Sequence, residues 1–161
     1  MDVKFEKDGF KFNVRSSCII KDKLHKYVLL SEMRAIQDHE AYLLPGGRLE
    51  LLENSQDAIC REIKEEIGLD LKYKLISIEE NFDEDNNFHM LEFVYYTEVE
   101  NFDFLQDVDQ SWDKFKIVEI QNIENTDVRP KTVKTLIQKD IYDDISHNIN
   151  YDWGQTQKRK K

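Results

Sequence analysis

The stretch from Asn54 to Leu69 constrains this chain most. Its residues suit one element: an amphipathic helix over Ser55–Ile67, with Asn54 as the N-cap and Gly68 in the left-handed position that ends many helices. Asp57, at the third helical position, can complete a capping-box-like arrangement. Projected at about 100° per residue, Ile59, Cys60, Ile63 and Ile67 form one apolar stripe that must face a core. Glu62, Glu65 and Glu66 fall on a second stripe beside it. Arg61, Lys64 and Asp57 project to the remaining side, toward solvent.

Like charges one turn apart cost roughly 0.2–0.5 kcal/mol per pair, and no lysine on that stripe stands one turn away to relieve them. The negative end of the helix dipole is also a poor place for carboxylates. A solvated acidic edge is one account of the stripe. A bound divalent cation is another, and an oxygen-only ligand set suits Mg2+ or Mn2+ rather than Zn2+.

The rest of the chain reads as strands around two helices. Phe10–Ile20 and the segment from Tyr27 form one hairpin; "LKYKLISIEENF" and "FHMLEFVYYTEVE", separated by "DEDNN", form another. "AYLLPGG" is a short strand stopped by Pro45 and two glycines, and "KFKIVEI" from Lys114 is a further strand. Pro130 opens a second helix, with Val133, Leu136, Ile137 and Ile141 at helical spacing. Hairpins mixed with two helices predict an α/β (α+β) protein: a mixed sheet with helices packed on its faces. The expected organisation is one domain over residues 1–142 and a polar, partly mobile tail over 143–161.

The chain has 161 residues and a formal net charge of −10. That length can bury a core without disulfides. That charge gives no general attraction for nucleic acid or anionic lipid, so neither partner is expected. No apolar run is long enough to span a membrane, and the charged N-terminus is unlike a signal peptide. A cytoplasmic location is expected, with Cys18 and Cys60 as buried free thiols.

The spacing carries more than the helix. From Gly47 the chain reads Gly47, five residues, Glu53, seven residues, then Arg61-Glu62-Ile63-Lys64-Glu65-Glu66-Ile67-Gly68-Leu69. This resembles the Nudix box, GX5EX7REUXEEXGU with U aliphatic, at every specified position. Chance agreement at its fixed identities is on the order of one in ten million or rarer per start point. The resemblance extends more loosely over Phe10 to Ile141.

It implies the Nudix fold, a mixed β-sheet sandwiched between helices. It also implies Mg2+- or Mn2+-dependent hydrolysis of a pyrophosphate bond in a nucleoside diphosphate linked to another group. Carried over by position, Glu62, Glu65 and Glu66, with the backbone carbonyl of Gly46, become metal-ligand candidates. Arg61 and Glu53 become a pair bracing loop against helix. Glu62 is also a candidate base, and Glu53 can reach the metal through water. The implied partner is a small nucleotide-type substrate: sugar nucleotides, ADP-ribose, dinucleoside polyphosphates and damaged nucleoside triphosphates all fit. Arg15, Arg34 and Arg48 are candidates for its phosphates, and Phe82, Phe88 or Trp112 for stacking on its base. A further acid from a later loop is expected, with Asp107, Asp109, Glu79 and Glu80 as candidates. Many family members have glycine where this chain has Leu52, which implies a different loop shape here. A homodimer is compatible with the resemblance, but no sequence feature marks an interface. The competing reading is a non-catalytic Nudix-like module that binds a nucleotide and regulates a partner.

Overall fold

The computed structural model describes residues 1–33, 39–107 and 114–157. One long strand, β2 (Phe10–Asp22), organises them. Along one edge it pairs in parallel with β7 (Phe88–Val99) over its full length. Its other edge is shared in succession by β1 (Lys4–Lys7), β5 (Gly46–Arg48) and β3 (Tyr27–Glu32). β6 (Lys74–Asp83) pairs antiparallel with β7, with an irregularity between Leu75 and Ser77. Beyond β3 lie β4 (Ala41–Leu43), β8 (Phe115–Glu119) and β9 (Asp127–Val128). The result is a curled, mixed sheet of α+β class.

Side chains alternate along a strand, so each face of the sheet builds its own core. Cys18, Ile20, Leu29 and Tyr95 pack under helix α1 (Ser55–Ile67) through Ile59, Ile63 and Ile67. Ile19, Val28, Leu30 and Val94 pack on the opposite face against Val133, Leu136 and Ile137 of helix α2 (Thr132–Gln138). Both hairpins expected from sequence are present, and α1 has the expected bounds. Asn54 accepts from the Asp57 amide at 2.8 Å, and Gly68 takes φ +82°.

Three differences have local causes. Ile141 does not continue α2: the helix ends at Gln138, and Ile141 is exposed. Tyr142 fills the core instead, its hydroxyl donating to the Leu136 carbonyl at 2.5 Å. The N-terminal residues form β1, an edge strand. Ser146–Asn150, in the stretch read as a polar tail, forms β10, parallel to β6. It is polar because half of it faces buried polar partners: Asn150 donates to Asn81 at 3.0 Å and accepts from Thr132 at 3.2 Å.

Candidate active site

Helix α1 is seated on the sheet by a polar contact as well as its apolar stripe. Ser16 of β2 donates to the Ser55 carbonyl at 2.7 Å, and the Ser55 hydroxyl lies 2.7 Å from that of Tyr95. This seating turns the acidic stripe toward the glycine turn of β5. Gly46 has φ +150°, and a Cβ there would lie 2.1 Å from the Ser16 carbonyl oxygen. A Cβ on Gly47 would lie 2.3 Å from the Glu62 carboxyl carbon. Only glycine lets the backbone pass this close to β2 on one side and to a carboxylate on the other.

Arg61 does not point to solvent, as the bare helical projection places it. Its side chain reaches back along the helix to the loop. Nε and Nη2 donate to the two oxygens of Glu53 at 2.8 and 2.9 Å, and Nη2 also donates to the Arg48 carbonyl at 3.1 Å. Nη1 donates to Glu62 at 2.9 Å and to Glu65 at 3.3 Å. The repulsion along the acidic stripe is therefore relieved from within the box. The hydrogen bonds to Arg61 hold the Glu53 carboxyl below its ordinary pKa, and those to Glu53 and Glu62 push the guanidinium further up.

Glu66 has a different environment. Burial raises its proton affinity, against the opposing pull of Lys114, Arg15 and the Gly46 amide. One of its oxygens, Oε2, is buried without a hydrogen-bond partner. Lys114, just before β8, comes within 3.8 Å of the other. Nothing in the sequence pattern pointed to Lys114, because that contact depends on how β8 is placed across the sheet.

The other candidates are dispersed. Arg15 and Arg48 are cross-strand neighbours on β2 and β5. Arg15 donates to the Leu44 carbonyl at 2.6 Å and lies 3.6 Å from Glu92; Arg48 lies 3.6 Å from Asp2. Phe82 is held between His89 and Tyr151, with ring centroids at 4.3 and 5.1 Å, so its faces are already occupied. Phe88 packs against Trp153. Glu79 is not a surface acid: it is fully buried and accepts from Thr132 at 2.6 Å. Glu80 pairs with His147. Arg34, Asp109 and Trp112 lie outside the described residues, as does the side chain of Asp107. Glu92 escaped the sequence reading although the signal was there: it alternates with Met90 and Val94, both buried, and is itself fully buried beside Arg15.

Leu52 keeps the loop geometry that a glycine would have. Its φ is +68° and its side chain is almost fully exposed.

A family model described as the NUDIX domain matches residues 11–139. The chain belongs to the Nudix family. Several solved structures share this Nudix fold. A MutT protein from Bacillus halodurans superposes with TM-score 0.61 at 19% identity, over 88% of this chain and 92% of that one. A Nudix hydrolase from Nitrosomonas europaea gives TM-score 0.61 at 23% identity, over 78% and 86%. NrtR from Shewanella oneidensis, solved with a 27mer DNA, also gives 0.61, at 14% identity over 78% of this chain and 58% of that one. At these identities the likeness is one of fold. Comparison with curated protein sequences gives no significant match. No helix among the described residues is long and apolar enough to cross a membrane.

Proposed function

We propose that this Nudix protein hydrolyses the pyrophosphate bond of a nucleoside diphosphate linked to a second group, with Mg2+ or Mn2+ as cofactor. One observation carries the reading: the box carboxylates Glu53, Glu62 and Glu65 are gathered by Arg61 beside a side-chain-free glycine turn, with Glu66 on the same helix. Among the described residues, no three acidic, histidine or cysteine side chains already converge as an ion cage. The donor set nonetheless suits a hard cation. Glu66 has a buried oxygen with no hydrogen bond, Glu62 lies flush against Gly47, and both stand on one helix with Glu65. These three, with the Gly46 carbonyl, would hold the ion. Bound there, it would neutralise diphosphate charge and lower the pKa of a water.

The chain's own groups supply the rest. Arg61 and Glu53 position loop and helix. Arg15 and Arg48 stand opposite one another on β2 and β5, each already faced by a carboxylate, Glu92 and Asp2, and a further anion beside them would meet two positive charges. A substrate phosphate is such an anion. Water adds to one phosphorus, the bridging P–O bond breaks, and the water's proton passes to a carboxylate, with Glu62 the candidate. Glu62 and Glu65 are the proposed catalytic carboxylates.

The test is turnover of a panel of nucleoside diphosphate derivatives with Mg2+ or Mn2+. Metal-dependent release of two phosphate-bearing products, reduced a hundredfold or more in Glu65→Gln, supports the reading. A folded, metal-binding protein that turns over no panel member but binds one supports a non-catalytic nucleotide-binding module instead.

A further inference from the structure

Arg15 has an incomplete set of contacts. Its Nη2 donates to the Leu44 carbonyl at 2.6 Å. Its Nε lies 3.6 Å from Oε2 of Glu92, and both atoms are buried without a hydrogen bond. Nη1 donates to no described residue. A guanidinium carries its N–H donors in a fixed planar fork, and a carboxylate in register with that fork takes two of them. At 3.6 Å this pair is held by charge instead. The spare donors belong to a side chain that is 15% exposed and stands opposite Arg48. Two residues along β2, Ser17 stands opposite Gly46 of the glycine turn. The Arg15 charge also lowers the proton affinity of Glu66. Arg15 therefore adjoins the candidate site with bonding capacity in reserve.

Glu92 is fixed from its other side. Nδ2 of Asn81 donates to Oε1 of Glu92 at 3.3 Å, and Asn150 of β10 donates to Oδ1 of Asn81 at 3.0 Å. Glu79 stands opposite Glu92 across β6 and β7, and both carboxylates are fully buried. Glu79 is met by Thr132 at 2.6 Å and Ser77 at 3.2 Å, whereas the cation facing Glu92 is Arg15. Burial raises the proton affinity of Glu92, and the Arg15 charge opposes that rise. For stability alone, apolar residues of similar volume serve as well as a buried ion pair. The place of this pair beside the glycine turn, and its spare N–H groups, point to a ligand.

We propose that Glu92 is a positioning residue: from its fixed place on β7 it holds Arg15 by charge and leaves Nη1 for a phosphate of the substrate. This rests on the pyrophosphate-hydrolysis reading. The carboxylate acts on a bound phosphate in two ways. It restrains the guanidinium, which favours one reacting geometry. It also offsets the guanidinium charge, which weakens the attraction for an anion in the ground state. Removing the Glu92 charge is thus expected to tighten binding while slowing the reaction, a split that simple loss of structure does not produce.

Calorimetry with inorganic pyrophosphate and saturating Mg2+ measures the effect of charge, and steady-state kinetics measures the restraint. Glu92→Gln is expected to lower the pyrophosphate Kd about threefold or more and to lower kcat about tenfold. Glu92→Asp keeps the charge but withdraws it by one methylene. It is expected to lower kcat without tightening binding, and it carries the test should Glu92→Gln not fold. In an Arg15→Met background, Glu92→Gln is expected to change neither quantity. A wild type that does not bind pyrophosphate overturns the inference. So does folded Glu92→Gln with unchanged or weaker binding or with wild-type kcat, and so does an effect of equal size in the Arg15→Met background. A wild type that binds pyrophosphate but turns over no nucleotide defeats the hydrolysis reading alone, and the binding measurements still decide the role of Glu92.

Discussion

Arg61 grips both oxygens of Glu53 at 2.8 and 2.9 Å while its remaining nitrogen spans Glu62 and Glu65. One side chain thus fixes the loop to the helix and spaces two carboxylates of the candidate site. A lysine keeps the charge but not the planar fork. Arg61→Lys is therefore expected to cost about 1–3 kcal/mol in urea unfolding and to lower kcat. Unchanged stability in this variant would mean that the fork contributes nothing.

Glu66 tests the metal assignment without turnover. Its carboxylate is half-buried with one oxygen, Oε2, buried and unpartnered, so Glu66→Gln is expected to leave the metal-free protein as stable or slightly more so. With saturating Mg2+, the wild type is expected to gain about 5–10 °C in Tm and the variant little of it. Equal shifts in both proteins would remove Glu66 from the ligand set.

Leu52 holds a backbone conformation that disfavours a side chain, and it buries almost nothing in return. Relief of that strain, worth roughly 1–2 kcal/mol, outweighs the extra flexibility of glycine, roughly 0.5–1 kcal/mol. Leu52→Gly is expected to raise stability by about 0.5–1 kcal/mol, measured by chemical denaturation.

Lys21 supplies a pH dependence. It is buried, donates to the Lys139 carbonyl at 2.5 Å and lies over the rings of Tyr96 and Tyr142. Burial lowers its pKa from 10.5 to about 8. Between those values the unfolded chain binds more protons than the folded one, so stability rises with pH across that window. Relative to Lys21→Met, the wild type is expected to gain about 1–3 kcal/mol from pH 8 to pH 10.5. Denaturation of both proteins at several pH values measures this. The comparison cancels the tyrosines, which both proteins share.

What could be read in advance was what neighbours in sequence determine. Helix α1 was legible because its cap, apolar stripe and terminal glycine all lie within a few residues. The strands of the two hairpins were legible because each run keeps its alternation. The direction of Arg61 was not, since a projection places Cβ and a long side chain can reach back a full turn to Glu53. Nor was β10, whose polar residues make sense only opposite Asn81 and Thr132, far away in the chain. Lys114 was missed for a similar reason, because its partner Glu66 is supplied by another element, whereas Glu92 was marked as buried by its alternation with Met90 and Val94 and was overlooked. The box itself was legible as a pattern, while the way Arg61 offsets its carboxylate repulsion became visible only in three dimensions.

β10 also bears on how the protein is made. Glu79 is buried between β7 and β10, and its carboxylate is stabilised by Thr132 and Asn148. Gln157 then ties the end of the described chain back to the Val128 carbonyl. The hydroxyl of Thr132 lies 53 residues beyond Glu79 in the chain, and Asn148 lies further still. The nascent sheet must leave that carboxylate in water until they emerge from the ribosome, so this side of the sheet cannot close before the segment through Asn148 has been made.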